Sequence, residues 1–183
     1  MKQFGCAALI AGVATCAAAE TYYAPSPGTH FVYGTYEGGD VPYISETITV
    51  VATDDRGFVA QIEVLGEDAY TSLNRYLYGF TSFSCEYEGM HPFGDGVDAL
   101  WPFAPGKGDE YGAFFVIGKD IDAWVNNTQY DAWAVREVTE HGSTWVTRSA
   151  PALGGMKVDD LVGIERRPVP NVDMAAVEAC LKN

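Results

Sequence analysis

The sequence predicts a mainly β fold: a single antiparallel sheet curled into a half-barrel or small barrel, carrying a short C-terminal α-helix. Three observations lead there. Most segments are rich in β-branched residues and partly alternate apolar with polar side chains. Gly and Pro punctuate them at the short intervals of an antiparallel meander, as at Gly38-Gly39, His91-Pro92, Pro105-Gly106 and Gly154-Gly155. Only one stretch repeats its apolar residues at helical spacing.

The chain opens on a leader rather than on the sheet. Lys2 supplies a positive start, residues 4–13 form an apolar run, and Ala17-Ala18-Ala19 before Glu20 gives a small-residue cleavage pattern. This reads as a secretory signal peptide over 1–19, too short and too rich in Ala and Gly to hold a bilayer as a helix. No later segment reaches transmembrane length. The competing reading is a lipid anchor on Cys16, following Val13-Ala14-Thr15, although Thr is bulkier than the residue usual before an acylated cysteine. Both readings direct the chain to a periplasmic or secreted address and leave 20–183 as a single β domain.

The elements follow in order. A first strand is expected over 29–36. Strands over 44–51 and 58–65 flank Asp54-Asp55-Arg56-Gly57, a turn whose Gly and Asp favour a hairpin. Further strands are expected over 72–78, 82–87, 111–117 and 161–166. A second hairpin joins 132–138 to 144–148 across Glu140-His141-Gly142. Residues 87–109 carry several Gly and Pro together with Phe93, Trp101 and Phe103, and read as a long ordered loop. The helix is expected over about 172–182: Asn171 can cap it, Asp173 favours its first turn, and Met174, Val177 and Leu181 share a face. At about three turns it needs tertiary support.

That support is available from the cysteines. Beyond the leader only Cys85 and Cys180 remain, neither in a CxxC motif, so in an oxidising compartment they have each other as intramolecular partner. Bridging them ties the helix to the strand around Ser84.

Charge and motifs exclude more than they specify. The chain carries 25 acidic against 11 basic residues, a net −14, which argues against nucleic acid or a polyanionic membrane surface as partner. The histidines His30, His91 and His141 lack metal-ligand spacing, and there is neither HExxH nor a Gly-x-Ser-x-Gly elbow. Glu86 and Glu88 on one strand face could in principle serve hydrolase acid/base chemistry and Asp95 and Asp98 could hold calcium, but in so acidic a chain a solvated face accounts for these pairs and for others such as Asp159/Asp160. No catalytic, cofactor-binding or metal-ligating set is therefore assigned.

The aromatic residues are more suggestive. Tyr76, Tyr78, Phe80, Phe83, Phe93, Trp101 and Phe103 cluster in sequence, and a curled sheet lined by them could hold an apolar small molecule or lipid. Plain core packing under a lid of loop aromatics is the alternative.

Three segments, Trp101-Pro-Phe-Ala-Pro-Gly, Tyr130-Asp-Ala-Trp-Ala-Val and Thr144-Trp-Val-Thr-Arg-Ser-Ala-Pro-Ala-Leu-Gly-Gly-Met-Lys-Val158, together resemble a pattern in poorly characterised proteobacterial periplasmic envelope proteins built on a long antiparallel sheet. Here Val146-Thr147 stands where that pattern carries aromatics. The resemblance implies an incomplete β-barrel in the bacterial envelope and no catalytic residue. The expectation that follows is a non-enzymatic binding or accessory protein taking an apolar or lipidic ligand, or an envelope protein partner, on a concave sheet face. A structural or interaction module with a filled core and a hydrolase using loop carboxylates are its competitors.

Overall fold

Twelve named strands and one α-helix are formed in the computed structural model, which describes residues 22–36, 38–79, 81–86, 101–108, 114–119, 123–125, 127–138 and 142–182. The leader with Cys16, and residues Phe80 and Phe93, lie outside the described residues, as do His91, His141, Asp95 and Asp98.

The strands β1 (Thr29–Thr35), β2 (Tyr43–Thr53), β3 (Gly57–Val64), β4 (Tyr70–Leu77) and β5 (Thr81–Ser84) run as an antiparallel meander. Near the C-terminal end of the chain, β12 (Leu161–Arg166) returns to pair with β1, so the six-stranded order is β12-β1-β2-β3-β4-β5. A second sheet is built from β6 (Phe114–Lys119), β9 (Trp133–Val138), β10 (Thr144–Ala150) and β11 (Met156–Lys157), in the order β11-β10-β9-β6. Between β6 and β9, β7 (Ala123–Val125) and β8 (Thr128–Tyr130) form a small hairpin. The fold is thus mainly β and antiparallel, with one short C-terminal helix. The large sheet is not closed into a barrel: β5 and β12 remain its two edges.

Local chemistry accounts for the predicted β2–β3 hairpin. The Asp54 carboxylate accepts hydrogen bonds from the backbone N–H groups of Arg56 (3.0 Å) and Gly57 (2.8 Å), an Asx-type turn. It also receives the Arg75 guanidinium from β4 at 2.6 Å, with Arg75 itself almost wholly buried. One side chain therefore sets the turn and anchors the third strand to it.

Strand alternation divides the six-stranded sheet into two faces. On the inner face Phe31, Ile48, Val50, Phe58, Ala60, Ile62 and Tyr76 join Ala150, Leu153, Met156, Val158 and Leu161 in the largest buried cluster. Each large apolar side chain removed from water there stabilises the fold by roughly 1.5–3 kcal/mol. On the outer face Val51 and Val59 pack against Val177 and Cys180 of the helix α1 (Met174–Leu181). Cys85, just beyond β5, is disulfide-bonded to Cys180 with a Cα separation of 5.2 Å, as the cysteine count predicts.

The helix begins later than the sequence reading placed it. Asp173, not Asn171, is its cap, accepting the Ala175 N–H at 2.9 Å. Met174, expected on the apolar face, is half exposed, and burial falls on Val177 and Cys180 instead. The disulfide selects that stripe by fixing Cys180 against the sheet.

Candidate functional site

The inner face is not covered along its whole length. Where β2, β3, β4 and β5 pass opposite β10 and β11, a solvent-open cleft of about 520 Å³ remains. Its position follows from register. Glu46 and Ile48 of β2 share a face by the two-residue repeat, Ile62 lies directly opposite Ile48, and Tyr33 is opposite Glu46. On the far strands Tyr76 is opposite Ser82, and Tyr70 begins β4. The opposing wall comes from Thr147, Met156, Lys157, Asp159 and Asp160.

The lining has an apolar floor and a polar rim. Ile48, Ile62, Met156 and Tyr76 are buried. Tyr33 donates its hydroxyl to the Lys157 carbonyl at 2.9 Å, tying the two walls together. Tyr76 stacks on Phe58 with ring centroids 4.8 Å apart and planes within 9°, so its orientation is set by packing rather than by solvent. Tyr70, by contrast, is 57 % exposed at the mouth. A close backbone crossing supports the cleft at Gly79: a Cβ on Gly155 (φ +82°) would run into the Tyr78 carbonyl, so the turn after β4 and the turn before β11 touch only because neither carries a side chain.

Electrostatics distinguish this cleft from ordinary core. Burial pushes the Glu46 carboxyl above its ordinary value, opposed by the charge of Lys157. Burial first, and the Glu46 charge among the neighbours next, push the Tyr76 hydroxyl up. Tyr33 is raised well above its ordinary value, by burial and then by Tyr76 and Glu46. Both tyrosines are therefore neutral hydroxyl groups at physiological pH. Around them, the Lys157 ammonium lies 3.3 Å from Glu137, and the Arg148 guanidinium lies 2.7 Å from Asp159, whose other oxygen accepts the Arg148 backbone N–H at 2.7 Å.

Of the seven aromatic residues of the sequence cluster, the five that are described do not share one surface. Tyr76 lines the cleft. Tyr78, Phe83 and Phe103 are buried in a separate cluster with Tyr22, Leu77, Phe114, Val116 and Val135, which joins the end of the large sheet to the second sheet. Within it the Tyr22 ring meets Tyr78 edge-on at 5.2 Å and Trp101 at 5.1 Å, and Trp101 stacks on Tyr78 at 5.9 Å. Trp101 is half-buried and also borders a second hollow of about 430 Å³ with Tyr23, Trp133 and the Lys119–Asp131 ion pair (2.9 Å). Phe80 and Phe93 lie outside the described residues.

Tyr33, Glu46, Tyr70 and Lys157 are cleft residues that the sequence does not single out, whereas Asp159 and Asp160 stand there as a carboxylate pair. One signal was available for Glu46. It shares the two-residue repeat of Ile48 and Val50, so a carboxylate occupies the apolar face of a buried strand. The far wall had no such signal, because β11 is two residues long.

No family model, no curated protein and no solved structure matches this chain. The functional reading rests on its own residues.

Proposed function

We propose that this protein is a non-enzymatic periplasmic binding protein that holds an apolar or lipidic small molecule with a polar head in the cleft over the inner face of its large sheet. The cleft carries the reading. At about 520 Å³ it falls in the size range of small-molecule sites, which runs from roughly 300 to 1,000 Å³. Ile48, Ile62, Met156 and the tyrosine rings offer an apolar body its surface, while Glu46, Asn74, Ser82 and Lys157 offer a head group hydrogen bonds. The leader and the Cys85–Cys180 bridge support the address, because disulfides persist in oxidising compartments. Among the described residues no helix is long and apolar enough to cross a membrane.

Native mass spectrometry of the protein isolated from a bacterial periplasm tests the proposal, together with titration of an environment-sensitive apolar dye. A bound small molecule, or a saturable one-to-one dye response lost on substituting Ile62→Glu in the cleft floor, is the expected result. Protein that is always ligand-free and silent to the dye would sink it.

A second reading has one observation in its favour. The aromatic cluster around Tyr78, Phe83 and Phe103 is packed rather than open, as in an interaction module with a filled core that docks an envelope partner. Loss of partner capture on cleft substitution would return the function to the cleft.

A further inference from the structure

We infer that the ligand of the cleft carries a positively charged nitrogen, seated between the Glu46 carboxylate and the tyrosine rings of Tyr33, Tyr70 and Tyr76. The inference rests on the cleft being a small-molecule site and deepens that reading by naming the head group.

The charge inventory carries it. The charged side chains that line the cleft are Glu46, Lys157, Asp159 and Asp160. Lys157 is held by Glu137, and Asp159 by Arg148. Among the described residues, Glu46 and Asp160 have no paired cation. An anionic head would meet two carboxylates that form no ion pair and a single ammonium, Lys157, already engaged by Glu137, and like charges in a partly desolvated site cost affinity. A neutral head would leave Glu46 as it stands, half-buried, its charge offset only by the Lys157 ammonium that Glu137 also holds. A cation supplies what the site lacks.

The aromatic lining points the same way through an independent interaction. Tyrosine rings present the negative face of their quadrupole to a cation, an attraction worth about 0.5–2 kcal/mol and strongest where water is excluded. Three tyrosines border this cleft, and burial keeps Tyr33 and Tyr76 as neutral rings. The apolar floor then takes the organic body attached to the nitrogen. A bare metal ion would have no use for Ile48, Ile62 and Met156, so the ligand class is an organic ammonium rather than an inorganic cation.

Three probes sharing one alkyl chain separate the head group from the tail: dodecyltrimethylammonium, dodecyl maltoside and dodecyl sulfate. Each is titrated calorimetrically into the mature protein below its micelle-forming concentration. The ammonium probe is expected to bind about tenfold or more tighter than the maltoside, with one-to-one stoichiometry, and the sulfate weakest. Glu46→Gln should cut the preference for ammonium over maltoside to about threefold or less. Asp160→Asn, at an exposed turn where Asn tolerates the left-handed backbone (φ +60°), should show the same change at smaller size. Should Glu46→Gln lose its thermal transition, the wild-type order of the three probes and the Asp160→Asn result decide. Equal affinity for ammonium and maltoside, or tighter binding of sulfate, overturns the charge assignment and leaves the cleft as a neutral-ligand site. Failure of all three probes to bind overturns the small-molecule reading itself.

Discussion

The two faces of the large sheet are built from the same alternating strands yet meet opposite fates. The outer face is closed where the helix docks. Val51 and Val59 are sealed under Val177 and Cys180, the helix is held covalently, and Arg75 is buried against Asp54. The inner face is closed near β12 and β1 but left open opposite β10 and β11, where Tyr33, Glu46 and Tyr76 surround a cleft. Stability comes from covered apolar surface, whereas binding needs apolar surface that stays accessible. A single sheet supplies both by dividing them between its faces, so substitutions on the two sides should separate stability from affinity.

The largest effect is expected on the closed face. Cys180→Ser opens a link spanning 95 residues and should lower unfolding free energy by about 4–5 kcal/mol in a chain-entropy account. Denaturant titration measures it. Ligand or dye affinity of the folded fraction should stay within about twofold, and a large affinity loss would break the separation of the faces.

Next comes the buried ion pair. Asp54→Asn leaves the Arg75 guanidinium buried without its counter-charge, and Nε and Nη1 of Arg75 already have no hydrogen-bond partner in the structure. A loss of about 3 kcal/mol is expected, again with cleft affinity retained. An unchanged denaturation midpoint would show that the turn anchors nothing.

The third effect belongs to the open face and should invert the pattern. Tyr70 is exposed at the cleft mouth, so Tyr70→Ala should change stability by less than about 0.5 kcal/mol. It should nevertheless weaken an ammonium probe several-fold through the lost ring. Unchanged probe binding in this variant would move the head group away from the mouth.

The smallest effects are pH slopes of opposite sign on the two faces. Glu46 has a folded pKa raised from 4.5 by burial, so its contribution is fully present below about pH 4.5 and is lost as pH rises through the folded value. Glu46→Gln should therefore raise the melting temperature at neutral pH, with the gain vanishing below about pH 4.5. His30, buried on the outer face with Nδ1 2.8 Å from the Thr49 hydroxyl, has a pKa lowered from 6.5, first by burial and then by Arg167. Its contribution is present above pH 6.5 and is lost as pH falls through the folded value. Melting curves of Glu46→Gln and His30→Asn across pH 4–8 should show the two slopes separately.

Much of the scaffold was legible in the sequence. The β2–β3 turn could be read from Asp54 and Gly57, because an Asx turn needs only local residues. The strands announced themselves through the two-residue repeat, and β12 falls over 161–166 as expected. The helix was read one cap too early, since Asn171 and Asp173 are both competent and only packing chooses between them. The cleft was largely illegible. Tyr76 was singled out together with residues that sit elsewhere in the fold, because sequence proximity within a meander does not say which face, or which sheet, a ring will meet.

The sequence by itself therefore determined what local chemistry and counting can decide: antiparallel strands, the turn at Asp54, the helix near the C-terminus and the pairing of two cysteines. Tertiary structure decided the return of β12 onto β1, the second sheet, and the arrival of Met156, Lys157 and Asp159 opposite Glu46, more than one hundred residues away in the chain. The physical reason is range. Backbone propensity and side-chain alternation act over a few residues, while a cleft exists only where two distant segments approach without closing the space between them.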